Sequence, residues 1–234
     1  MLTKISTEEI FFKNYGWHTG QFHFAFGDYE EPTNQNFGVL CALNAFVVQP
    51  NKGFETHSHA EMEIISYCVH GTLQHQDSMG NKNELKRGDS QYTCTGSGIT
   101  HSELNGSVDD SLRFLQIWII PRRSGLQPLY REKRILGKEI NGCLRHIASG
   151  EKIEGVMQIA QDANIFAAEI SRNQQVRFEN KEKRQSYVLC LEGEISANSI
   201  GLRESDAIKL RGEEKLNFMA REDSHLLIVE MAEG

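Results

Sequence analysis

The chain has 234 residues and a mass of 26.6 kDa, which at roughly 100–200 residues per domain means one large domain or two small ones. Hydrophobic residues make up 39% and charged residues 24%, so the chain can bury a core and is not disordered by composition. A formal charge of −7 and a pI near 5.7 argue against a general nucleic-acid or anionic-membrane binder, which needs a basic face. The longest apolar stretches, 115–120 and 226–229, fall far short of the roughly 20 residues that cross a bilayer. The N-terminal stretch has no continuous apolar run and no small-residue cleavage site, so no signal peptide is expected. Five scattered cysteines without a CxxC pair read as small buried thiols of a reducing compartment, and the protein is expected to be cytoplasmic.

In chain order, most of the sequence is strand-like. Residues 38–48 are rich in β-formers. Residues 63–69 run into Gly71, and a hairpin is predicted around the turn Ser78-Met-Gly-Asn81. Residues 90–94 are a further strand, ended by Gly96-Ser-Gly98, and 113–120 carry the strongest strand signal. Residues 121 to about 141 differ. Two prolines, Pro121 and Pro128, make 121–128 an extended connector. Strands are then predicted at 166–170, 187–191, 193–197, 206–210 and 225–231, and the charged run 179–184 reads as a solvated loop. The halves are weakly alike: Ser66-Tyr67 leads to Gly71 and Ser186-Tyr187 to Gly193, and Lys86-Arg-Gly-Asp89 has a counterpart in Arg203-Glu-Ser-Asp206. The expectation is an all-β chain of two tandem β-barrels, an N-terminal domain over 1–130 and a C-terminal one over 131–234.

His57-Ser-His59 is the sharpest feature. Residues i and i+2 of a strand share a face, so two imidazoles can converge on one ion. Glu63 has the same parity if the strand is unbroken. After the glycine turn, His101 and Glu103 again stand at i and i+2. One His-x-His is commonplace on a surface; two same-face pairs are not. Imidazoles with a carboxylate suit Fe, Mn, Ni, Co, Cu or Zn, and the lack of a thiolate excludes a Cys-rich structural zinc site.

These motifs resemble those of the cupin superfamily, and more closely the pirin family of bicupins. The resemblance is carried by Tyr15-Gly-Trp17, Phe24-Ala-Phe-Gly-Asp-Tyr29, Gly53-Phe-Glu-Thr-His-Ser-His59, Met62-Glu-Ile64, His75-Gln-Asp-Ser-Met-Gly-Asn81, Gly88-Asp89 and Gly98-Ile-Thr-His-Ser-Glu103. It covers about residues 15–135 closely and the rest in outline. It implies two jelly-roll-like cupin barrels, with one metal in the first, held by His57, His59, His101 and Glu103. Glu63, which occupies the carboxylate position of many other cupins, is expected to support the ligands rather than bind. The implied ion is iron(II), with Zn, Ni, Mn, Co or Cu as alternatives. The implied activity is quercetin 2,3-dioxygenase: a flavonol and O2 as substrates, Glu103 as the base for the 3-hydroxyl, and carbon monoxide and a depside as products. The alternative is a metal- or redox-dependent regulatory or adaptor protein with a protein partner and no turnover. No direct nucleic-acid or membrane contact is expected, and the chain is expected to be a monomer. Ser58 and His70 depart from the pirin pattern without removing a ligand. His75 reads equally well as a group that orients a ligand or as a structural histidine. His18, His23, His70 and His146 read as structural or surface residues. With His225 alone among its main strands, the second barrel is expected to be metal-free.

Overall fold

The computed structural model describes residues 1–135 and 141–233. Among them are two seven-stranded and two four-stranded sheets, and the helical content is one 3-10 turn, Thr7–Glu9. No helix is long and apolar enough to cross a membrane. The strands gather into two compact units, one of residues 11–135 with 159–161, the other of 1–10, 141–158 and 162–233. Each unit has one larger and one smaller sheet around its own core.

In the first unit the larger sheet runs in the order Leu129–Lys133, Ser90–Cys94, Glu63–His70, Leu112–Ile119, Leu40–Val48, His18–Phe22, Phe11–Asn14. The smaller runs Gly53–His59, Ile99–Asn105, Leu73–Asp77, Lys82–Leu85. In the second unit the orders are Leu2–Ile5, Ala207–Arg211, Arg184–Glu192, Ser224–Ala232, Ala163–Ile170, Arg145–Ser149, Met157–Gln158, and Gln175–Asn180, Glu214–Ala220, Glu194–Ala197, Ile200–Arg203. Strand alternation explains these elements: Leu73–Asp77 buries Leu73, His75 and Asp77 and exposes Gln74 and Gln76. The first core is aromatic, with Phe22, Phe46 and Phe114 around Leu73 and Leu85. The second is mostly aliphatic, around Val188, Ile208, Leu216, Leu226 and Ile228.

Matching devices build both units. Gly71 (φ 83°) and Gly193 (φ 80°) turn one sheet into the other where a Cβ would meet the carbonyl of Ser111 at 2.7 Å or of Asp223 at 2.4 Å. Before each glycine a buried cysteine, Cys68 or Cys190, donates its backbone N–H to the carbonyl of Asp89 or Asp206 at 3.0 Å. The repeat is therefore Cys68/Cys190, Gly71/Gly193 and Asp89/Asp206. Pairing Ser66-Tyr67 with Ser186-Tyr187 puts the strands two residues out of register. Leading strands are also alike: Leu129–Lys133 adds to the edge strand Ser90–Cys94, and Leu2–Ile5 adds to Ala207–Arg211.

Residues 121–128 are strand-free, as the two prolines imply, and Leu129–Lys133 then forms a ladder with Ser90–Cys94; residues 136–140 lie outside the described residues. Two expectations need correction. In the run 179–184 only 181–183 form an exposed loop: Asn180 is buried at the end of one strand, and Arg184 begins the next. The Arg184 guanidinium is held by Glu230 at 2.8 Å and Asp162 at 2.7 Å. Lastly, the cysteines are all thiols, but Cys143 is exposed and Cys41 half-buried.

Candidate metal centre

The strand Ile99–Asn105 lies between Gly53–His59 and Leu73–Asp77, with His101 opposite His57 on one side and Asp77 on the other. Gly96 and Gly98 (φ 45° and 132°) turn the chain into this strand, as the glycine spacing suggests. Between His57 and Phe54 the ladder slips, so Glu55 and Thr56 face the single residue Ser102. That bulge brings the Glu55 carbonyl to 2.7 Å from His57 Nδ1. A carbonyl only accepts, so Nδ1 carries the proton and Nε2 presents its lone pair. His57 Nε2 lies 3.1 Å from His101 Nε2. The His59 ring stands 4.7 Å from His57 and 4.9 Å from His101, centroid to centroid, and its buried Nε2 has no hydrogen-bond partner. One ligand atom from each of the three lies within 4.8 Å of the others. Burial first, then the neighbouring His101 and His57, push His59 down to about 4, and burial lowers His101 as well. Both rings are therefore neutral at pH 7, the state in which imidazole binds a metal.

Glu103 is 1% exposed. Its Oε1 accepts from Ser66 Oγ at 2.6 Å and Gln91 Nε2 at 2.9 Å, and its Oε2 accepts from Gln116 Nε2. It forms a second close group with His101 and His75, rather than with all three of the other histidines. His75 is buried between Gln91 (3.1 Å to Nδ1) and Asp77 (3.2 Å to Nε2). Trp118 closes the cluster, its ring 4.8 Å from His59 and 5.0 Å from Phe26. Beside His57 opens a groove of about 860 Å³ lined by Trp17, Lys52, Phe54 and Glu55.

Glu63 lies elsewhere. The parity argument fails because the strand stops at His59 and resumes at Glu63 in the other sheet, with Glu61 in the left-handed region (φ 54°) between them. Glu63 Oε2 instead accepts from the Tyr92 hydroxyl at 2.6 Å and the backbone N–H of Ala160 at 2.8 Å, so it anchors the segment 159–161. Burial raises its pKa. Of the other histidines, His18 stacks on Tyr15, His70 is exposed, and His146 bonds Asn164. His225 is buried with Glu192 at 3.4 Å. Ser66, Gln91, Gln116 and Asp77 escaped sequence reasoning, although Gln116 was visible as a polar break in an apolar strand.

Three imidazole nitrogens with a buried carboxylate beside them, and His59 Nε2 lacking any donor, fit a divalent transition metal. Comparison with known proteins agrees with this fit. Residues 5–119 match the Pirin family and residues 146–231 the quercetinase C-terminal cupin domain. The quercetin 2,3-dioxygenase of Escherichia coli K12 is 30% identical over 93% of both chains, and a pirin-like protein of Caulobacter vibrioides 32% identical over 94% of both. Among solved structures, the bacterial pirin YhhW of Escherichia coli in complex with nickel(II) superposes with a TM-score of 0.92 at 29% identity, covering 100% of both chains.

Proposed function

The chain belongs to the pirin family of bicupins, and from that premise we propose that it is a metal-dependent dioxygenase that opens the heterocycle of a flavonol such as quercetin. The observation that carries this reading is the convergence of His57, His59 and His101 beside the buried carboxylate of Glu103. These four residues are the proposed ligands of one divalent ion, iron(II) in the first place. When bound, such an ion supplies Lewis-acid and redox chemistry towards a hydroxylated ring and O2.

The chain's own residues do the rest. The Glu55 carbonyl orients the His57 ring, and burial keeps His59 and His101 neutral. Glu103 Oε1 spends both lone pairs on Ser66 and Gln91, whereas Oε2 accepts one hydrogen bond, from Gln116. Oε2, with a lone pair to spare, would be the atom to hold the ion or to take the 3-hydroxyl proton. Trp118 and Phe26 offer aromatic surface to flat rings, and the buried barrel excludes water. The test is aerobic incubation of quercetin with protein reconstituted with Fe, Ni, Co, Mn, Cu or Zn, following loss of flavonol absorbance and release of carbon monoxide. Turnover with metal and none after chelation is expected; no carbon monoxide with any of the six metals would overturn the reading.

A further inference from the structure

Gln91 stands between two groups that compete for its protons. Its Nε2 lies 2.9 Å from Glu103 Oε1, 3.1 Å from His75 Nδ1 and 3.3 Å from Ser66 Oγ. An amide nitrogen has two hydrogens, so one of these neighbours receives none. Flipping the amide would set its oxygen against a carboxylate, while in the observed sense Gln91 Oε1 accepts from the Tyr130 hydroxyl at 3.3 Å. The Tyr130 ring in turn stacks on His75 at 4.9 Å.

His75 is determined from its other side. Asp77 accepts from the backbone N–H of Met79 (2.9 Å) and Asn81 (3.0 Å) and from the Asn81 amide (2.8 Å). With donors on every other side, its Oδ2 is an acceptor towards His75, so Nε2 carries the proton and Nδ1 holds a lone pair facing Gln91. Both residues are buried, at 1% and 6%, so bulk water does not replace either bond. Although His75, His101 and Glu103 lie close enough to hold an ion, both nitrogens of His75 are spent in this chain, and the group supports the metal centre rather than forming a second one.

We infer that His75 is a positioning residue for Glu103. Asp77 fixes its tautomer, its Nδ1 takes one proton of Gln91, and the other Gln91 proton is thereby aimed at Glu103 Oε1. The inference rests on the ligand set proposed above.

Two substitutions separate the ends of the ring. In His75→Asn the amide oxygen reaches the place of Nδ1 and can still accept from Gln91; in His75→Gln the amide reaches the place of Nε2 and the acceptor is lost. Nickel(II) affinity is measured by titration calorimetry on the full chain, with thermal midpoints alongside. His75→Gln should bind nickel about 10–100-fold more weakly, as loss of a group behind a ligand typically does, while His75→Asn stays close to the wild type. Equal affinity in all three proteins would overturn the inference, as would equal losses that track a fall in midpoint. Gln91→Met keeps the volume and removes both protons, so unchanged nickel affinity in it overturns the inference even if the His75 variants do not fold. Quercetin turnover plays no part in this readout: a wild type that binds nickel and leaves quercetin intact sinks the dioxygenase reading alone, whereas one that binds no nickel sinks both.

Discussion

The two barrels share a scaffold and differ in what fills it. Cys68 faces Phe114 across its ladder and Cys190 faces Leu226, each just before a one-residue slip, so Gln116 corresponds to Ile228. Counting from Gly71 and Gly193, Leu73 faces Asn105 and Ile195 faces Ala220, which sets His101 against Leu216, Glu103 against Phe218 and His75 against Ala197. Across the next ladder His57 corresponds to Phe178, and by the same count Ser66 and Gln91 correspond to Val188 and Ile208. Eight polar interior positions of the first barrel are thus apolar in the second, and all eight belong to its buried core. A buried polar group costs free energy unless it is bonded, whereas a buried leucine or phenylalanine contributes about 1.5–3 kcal/mol. One barrel gives up packing for a cluster of polar side chains; at the matching positions the other is filled with hydrocarbon.

The largest expected effect breaks this comparison at its centre. His57→Ala with His59→Ala should abolish metal binding and leave the chain folded, while His225→Ala in the second barrel should leave metal content unchanged. Elemental analysis of the purified variants decides it. Full occupancy in the double variant, or half the metal lost with His225, would mean that the barrels do not divide the work in this way.

Next come the paired positions Glu103 and Phe218. Glu103→Gln removes charge and proton acceptor, and flavonol turnover should fall about 10²–10⁴-fold, the usual worth of a general base. Phe218→Ala should instead destabilise the second barrel by about 3–5 kcal/mol through the cavity it leaves. Denaturant unfolding read beside turnover separates the two, and a Phe218→Ala protein that unfolds like the wild type would show that this core is not what its burial implies.

Glu63 is a smaller case. Because Tyr92 and the N–H of Ala160 share its Oε2, Glu63→Gln should cost about 1–3 kcal/mol of stability, the range for weakening a buried hydrogen-bonded group, with metal content intact. Loss of metal in Glu63→Gln, with Glu103→Gln still loaded, would return the ligand set to that of other cupins.

Much of the fold and site was legible because it obeys local rules. His57 and His59, and His101 and Glu103, share faces by strand parity, and glycines mark the turn before His101. Parity failed at Glu63 because the intervening turn has no Gly, Pro or Asn; Glu61 itself takes the left-handed conformation. The strand Gln175–Asn180 alternates exposed and buried residues throughout, but its last residues join a charged run that looks like a loop. Leu2–Ile5 was invisible because four residues carry little pattern, and its partner Ala207–Arg211 is some 200 residues away. Gln91 and Ser66 matter through a carboxylate contributed by another strand, which no spacing rule encodes.

The smallest effect concerns the carboxylates that fasten the leading strands. Asp89 accepts from the N–H of Lys86 and Ile135, and Asp206 from the N–H of Arg203 and Thr7, so each ties its own turn to the residue two past the added strand. The pairs of charges differ: Lys4 Nζ sits 2.7 Å from Asp206, whereas Arg134 is 3.8 Å from Asp89. Burial alone would raise the Asp206 pKa, but the hydrogen bonds from Lys4, Arg203 and Thr7 and the charge of Lys4 outweigh it and hold the carboxyl below its ordinary value of 3.8. A depressed folded pKa means that the unfolded chain takes up the proton first as the pH falls. The stability Asp206 contributes is therefore complete above about pH 4 to 5 and is lost at lower pH, as the carboxyl titrates in the folded state. Thermal midpoints of the wild type and Asp206→Asn should differ by a constant margin between pH 7 and 5, and the margin should narrow at pH 3. A margin unchanged at pH 3 would mean that Asp206 holds Leu2–Ile5 by geometry that asparagine reproduces poorly, rather than by charge.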